Sequence, residues 1–305
     1  MLFHSSDPQD VRDLQQLLAN LGFEIAVDGV FGPKTGEAVK AFQAQNFDGS
    51  GTPLLVDGIV GPATWASLQA TAALAGSRDE NTDASAGFDT AFYPGDARML
   101  AWKQSSPYSF VGYYLAAPAH PNASWMGTRK KLLEMGWDLA VLYVGRQSQG
   151  PGSNRPPDAT SGHQHGSDAL SKAQSEGFLP GVVVYLDVEP MDHIPPNMID
   201  YVNAWLSEFE GKAYLRGIYC HKKNAVELKT RTAQTGPDTL FWVSGSGSNF
   251  QPGVSRPTDS GIPFATIWQG AFNQVRTFGG VSLNIDENVA SRPTERPATA
   301  GGIVT

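Results

Sequence analysis

The stretch Gly181-Val182-Val183-Val184-Tyr185-Leu186-Asp187-Val188-Glu189-Pro190 reads as a buried β-strand that delivers two acids. From Val182 to Leu186 it is apolar and largely β-branched, the composition of a parallel strand covered on both faces. Pro190 ends the run, because proline has no N–H to give to a ladder. Side chains alternate across a strand, so Asp187 and Glu189 project the same way, with Cβ atoms about 6–7 Å apart. Two carboxyls at the carboxyl end of a buried strand are costly to desolvate unless chemistry or strong partners keep them there. The rest of the chain reads as the frame around this pair.

With 305 residues the chain has room for one large domain and one small one. Its net charge of −8 argues against nucleic acid, whose phosphates need a basic face. Cys220 is the single cysteine, so no internal disulfide is expected. No apolar run approaches the length of a membrane span, and no membrane insertion is expected. Residues 1–7 lack the basic-then-apolar order of a signal peptide. The expectation is synthesis in the cytoplasm without a signal peptide, with any work outside reached by cell lysis or a dedicated secretion machine.

Residues 1–70 are expected to form a small all-α domain of three helices. Asp7-Pro8 looks like an N-cap with proline at the first helical position, and Val11, Leu14, Leu17, Leu18 and Leu21 follow helical spacing up to Gly22. An internal repeat comes next. Val27-Asp28-Gly29-Val30-Phe31-Gly32-Pro33-Lys34-Thr35 returns as Val56-Asp57-Gly58-Ile59-Val60-Gly61-Pro62-Ala63-Thr64. Each copy is a glycine-rich turn followed by a proline that opens a short helix, expected over 34–45 and 63–68. Taken singly these residues are turn chemistry. As a doubled pattern the segment resembles the three-helix peptidoglycan-binding domain, which implies peptidoglycan as a partner. Residues 71–86, small and polar, read as a linker.

Beyond the linker the pattern changes to strands alternating with helices. Strand-like runs fall at 86–92, 109–115, 138–144, 182–189, 215–220, 239–244, 265–270 and 282–289. Helical patterns lie at 124–135, 168–176, 197–210 and 224–232, and the sixth and seventh connections show none. This predicts an α/β fold, a (β/α)8 TIM-like barrel over 87–290, with a disordered tail at 291–305. An open doubly wound sheet is the alternative, disfavoured because acids in both the first and the last strand suit closure.

Barrel enzymes place their sites at the carboxyl ends of strands, which selects Asp89, Asp187, Glu189 and Asp286. Several carboxyls in one cleft push their pKa values apart, so one can donate a proton while another stays an anion. Glycoside hydrolysis needs that division of labour. Glu189, longer and at the strand's end, is the better acid; Asp187 is placed to stabilise positive charge at the sugar or to orient a substrate amide. Asp89 and Asp286 are expected to bind hydroxyls and tune the pair, the competing reading being strand-end caps or partners of Arg98, Arg146 or Arg216.

Residues 86–290 resemble the glycoside hydrolase-like barrel family of uncertain function, related to the family 25 lysozymes. The resemblance rests on Gly87-Phe88-Asp89-Thr90, Val111-Gly112-Tyr113-Tyr114, Gly136-Trp137, Tyr185-Leu186-Asp187-Val188-Glu189, Gly217-Ile218-Tyr219, Trp268-Gln269 and Gly279 through Asp286. It implies that the D-x-E acids carry catalysis and that the aspartates of the first and last strands complete the site. Thr90-Ala91-Phe92 departs from the lysozyme form, where a valine-serine type of stretch is usual.

Tyr143, Tyr219, Trp242 and Trp268 with Gln269 are expected to supply a sugar platform, since flat rings suit pyranose C–H faces. Residues 145–166 read as a polar lid over the barrel mouth. His163-Gln164-His165 within it lacks the further ligands a metal site needs, so neither metal nor cofactor is expected. The leading expectation is a modular peptidoglycan hydrolase cleaving the MurNAc–GlcNAc β-1,4 bond. An endolysin or a secreted antibacterial effector, with an immunity protein as a further partner, fits that expectation. The alternatives are a non-catalytic binder of wall glycan and a hydrolase of another N-acetylated glycan.

Overall fold

The computed structural model describes residues 7–21, 23, 25–46, 48, 53–76, 84–150 and 152–291. The expected tail from 292 on and the central part of the expected linker, 77–83, lie outside the described residues. The chain divides into two compact units.

The amino-terminal unit holds three helices, α1 Pro8–Asn20, α2 Pro33–Gln45 and α3 Pro62–Gly76. Asp7 caps the first by accepting from the Gln9 N–H at 2.7 Å. Val11, Leu14, Leu18, Val39, Phe42 and Leu68 pack into its core. The two repeats share one wiring. Gln15 donates to Asp28 Oδ1 (2.8 Å) and the Val30 carbonyl, and accepts from the Gly29 N–H. Gln43 does the same for Asp57 Oδ1 (2.9 Å), the Ile59 carbonyl and the Gly58 N–H. Each glutamine thus satisfies the polar groups of a turn whose glycine has positive φ, 78° at Gly29 and 75° at Gly58. The third helix runs on to Gly76, into the stretch expected as linker, because Ala72, Ala73 and Ala75 favour helix.

The second unit is a closed barrel with strands in sequence order. They are β1 Ser85–Asp89, β2 Phe110–Leu115, β3 Asp138–Val144, β4 Val183–Val188, β5 Leu215–His221, β6 Leu240–Ser244, β7 Ala265–Phe278 and β8 Val281–Ala290. The pairs from β1–β2 through β6–β7 are parallel, whereas β8 runs antiparallel to both β7 and β1. The expected TIM-like barrel is closed as predicted, and its one departure from the parallel pattern is the reversed last strand. Gly279 and Gly280, both with positive φ, make the tight turn that sends β8 back along β7.

Helices α4 Asp96–Ser105, α5 Arg129–Glu134, α6 Ala159–Ser175, α7 Pro196–Ser207 and α8 Lys222–Thr232 cover the barrel. The helix expected over 124–135 is reduced to α5. The expected lid over 145–166 is shortened from the other side, because α6 begins at Ala159 on an Asp158–Ser161 capping box. His163 and His165 are therefore helical, with Nδ1 atoms 2.7 Å from Glu208 Oε1 and 2.8 Å from the Tyr201 hydroxyl.

Side-chain alternation separates two cores. Phe88, Trp102, Trp137, Tyr143 and Trp205 fill the layer between strands and helices. Phe110, Ala140, Leu142, Tyr185, Trp242, Ile267 and Ala290 fill the lumen. Glycines make room for the large lumen rings: a Cβ on Gly87 would lie 2.4 Å from the Phe110 ring, and one on Gly217 2.4 Å from that of Tyr185.

Candidate active site

One register assigns every inward residue. Asp89 closes β1 and pairs across the barrel seam with Asp286 of the reversed β8. Asp187 of β4 lies level with Val144 of β3 and Tyr219 of β5, and Glu189 follows just after the strand. With alternate residues facing inward, Tyr114, Asp187, Tyr219, Gln269, Asp286 and Asn288 join Asp89 in the lumen. Gly112 lets this cluster close, since a Cβ there would sit 2.6 Å from the Asp89 Cβ.

Neutral donors hold Asp89, which is buried. Tyr114 Oη donates to its Oδ1 at 2.7 Å; Gln269 Nε2 and Asn288 Nδ2 donate to its Oδ2 at 3.0 and 2.8 Å. Gln269 Nε2 also donates to Asp286 Oδ2 (2.9 Å), and its Oε1 accepts from the Tyr219 hydroxyl. Asp286 Oδ1 takes the Asn273 backbone N–H at 2.7 Å. Asn273 has a φ of 53° within a bulged stretch of β7, so strained backbone aims this donor. The arginines weighed as partners are absent from these hydrogen bonds: Arg146 and Arg216 donate to the carbonyls of Pro156 and Leu206.

Gln147 clamps the D-x-E strand end. Its Nε2 donates to the Asp187 carbonyl (2.9 Å), and its Oε1 accepts from the Glu189 N–H (3.0 Å). A cleft of about 240 Å³ opens above, lined by Tyr114, Ala119, His120, Val144, Gln147, Asp187 and Glu189. Asp187 Oδ1 is buried without a hydrogen-bond partner among the described residues, an unsatisfied acceptor on a residue that lines the cleft.

Burial dominates the electrostatics. It raises Asp89 to about 7, helped by the charge of Asp286 and opposed by the Asn288, Tyr114 and Gln269 donors. Burial, then Glu189 and Asp89, drive Asp187 well above the carboxylate range. Glu189 and Asp286 are raised as well, chiefly by burial. Asp187 and Glu189 titrate as a pair, so the cleft retains protons that exposed carboxyls release.

The structure brings Asp187 and Glu189 to one cleft and ties Asp89 and Asp286 into a network beside it. The expected platform is another matter. Tyr143 faces outward, donating to Asp168 Oδ2 at 2.8 Å, with its ring against His165 and Trp205. Trp268 also faces outward, bonded to the Gly245 carbonyl and edged by Phe250. Trp242 is inside the lumen but fully buried, its Nε1 on Asn288 Oδ1. These three are corrected: none presents a ring face to a ligand. Tyr219 and Gln269 serve the acid network. Tyr114, Gln147, His120 and Asn288 are site residues that pattern reading did not single out. Tyr114 and Asn288 carried a legible signal, lying at even spacing from Gly112 and Asp286.

Residues 100–290 match the family model of the Rv2525c-like, glycoside hydrolase-like domain, and residues 7–68 match a peptidoglycan binding domain model. Among curated proteins none matches the chain. In fold it is similar to an uncharacterized B. stearothermophilus protein, at 17% identity and a TM-score of 0.49 over 68% of this chain and 95% of that one. It is also similar to the bacterial lysozyme from Streptomyces coelicolor, at 17% identity and a TM-score of 0.44 over 72% and 95%. A third likeness is the catalytic domain of endolysin ply40 from bacteriophage P40 of Listeria monocytogenes, at 14% and 0.45 over 68% and 93%. By the match that spans residues 100–290, the chain belongs to the Rv2525c-like, glycoside hydrolase-like domain family.

Proposed function

We propose that this chain is a modular peptidoglycan hydrolase whose barrel cleaves the MurNAc–GlcNAc β-1,4 bond, acting at the cell wall. The observation that carries the reading is the shared cleft of Asp187 and Glu189, in a chain that also bears a peptidoglycan-binding module. Glu189, just past the end of β4 at the rim of the cleft, passes its proton to the glycosidic oxygen as the C1–O bond breaks. Asp187, deeper and unpartnered, shares the pair's protons with Glu189, and as its carboxylate forms it faces the positive charge growing at C1, directly or through the substrate's acetamido N–H. Water then adds at C1 and returns a proton to Glu189, so the cycle closes. Asp89 and Asp286 hold the proton inventory that keeps this pair poised.

Purified sacculi test the reading. The native chain should release new reducing ends, and Glu189→Gln should lower that rate by about a hundredfold or more while melting at the same temperature. A variant as active as the native chain refutes the assignment.

A further inference from the structure

Between β1 and α4 the chain lifts Phe92 to the surface, 63% exposed. A single exposed aromatic is ordinary. This one continues into the cleft. Its ring centroid lies 6.3 Å from that of His120, and His120 lies 5.0 Å from Tyr114. His120 and Tyr114 both line the cleft beside Asp187 and Glu189. Three rings therefore descend from solvent to the Tyr114 hydroxyl on Asp89.

The middle ring has a vacant acceptor. His120 Nε2 is buried and has no hydrogen-bond partner among the described residues. Burial lowers the pKa of His120 and so favours the neutral ring. With the N–H of the neutral ring on Nδ1, Nε2 carries a free lone pair. An apolar ring face next to a lone acceptor matches one ligand chemistry, a sugar with a C–H face and an equatorial donor.

We propose that Phe92 and His120 form a sugar subsite flanking the acids. Phe92 takes the C–H face of a pyranose, and His120 Nε2 accepts from a hydroxyl or acetamido N–H of the same residue. The choice of wall glycan as ligand rests on the hydrolase reading; the subsite itself rests on the rings.

The test titrates a tetrasaccharide of alternating N-acetylglucosamine and N-acetylmuramic acid into the full chain carrying Glu189→Gln, by calorimetry. Adding Phe92→Ala should weaken binding about five- to tenfold, and Phe92→Trp should keep it. His120→Phe, which retains a ring and deletes the acceptor, should weaken binding as well. Thermal melting confirms that each variant is folded. Unchanged affinity in Phe92→Ala, or no binding by the parent, overturns the subsite. If the parent binds and the native chain releases no reducing ends, the hydrolase reading fails and the subsite stands. If the native chain cleaves and Phe92→Ala binds like the parent, the reverse holds.

Discussion

Asp89 sits among three neutral donors with its carboxyl raised to about 7, against an ordinary 3.8. The folded state therefore keeps a proton that the unfolded chain releases. Stability from this group is complete below about pH 3.8 and is lost as pH rises through 7. Asp89→Asn removes the titration and preserves the shape. Melting curves at pH 5 and pH 8 should show a smaller alkaline loss in the variant than in the native chain; equal losses would show that Asp89 does not titrate in this window. Such a costly group is a mark of a functional site. The acids were legible in the sequence because buried strands seldom end in paired carboxyls. The aromatics were not. A shift of one residue in register turns a side chain from lumen to outer layer. Tyr143 and Trp268 each lie one residue away from an inward position, Val144 and Gln269 respectively.

At the scale of elements, two glycines explain why part of α6 was hidden in the sequence. Glycine disfavours helix, and residues 145–166 are rich in it. Gly162 and Gly166 are nonetheless helical, since α7 crosses there at close range. A Cβ on Gly162 would lie 2.4 Å from the Tyr201 carbonyl oxygen, and one on Gly166 2.9 Å from that of Trp205. Gly162→Ala should therefore destabilise the barrel by about 1–3 kcal/mol despite its better helix propensity, as read from denaturant unfolding. A stabilised variant would mean that α6 and α7 are not held this closely. All eight strands were readable from apolar runs, but their direction was not. Direction follows from connection length: Gly279-Gly280 leaves room for a hairpin alone, and that reversal sets Asp286 opposite Asp89.

For the whole molecule, holding the wall and cutting it should be separable. The paired glutamines Gln15 and Gln43 organise the two repeat turns of the amino-terminal unit. The double variant Gln15→Ala/Gln43→Ala should sediment less with sacculi while cleaving a soluble peptide-free glycan at the native rate. Parallel loss of both activities would contradict a division of labour. The repeat was legible because it is local. Its glutamines were missed because each sits on the helix before its turn, 14 residues from the glycine for Gln15 and 15 for Gln43.

The reaction proposed for the cleft of Asp187 and Glu189 is cleavage of wall glycan on the reducing side of N-acetylmuramic acid. Mass spectrometry of sacculi digested by the native chain and by Glu189→Gln tests it most directly. The predicted result is fragments ending in reducing N-acetylmuramic acid from the native chain and none from the variant. Intact glycan strands from both, or identical fragments from both, would contradict it.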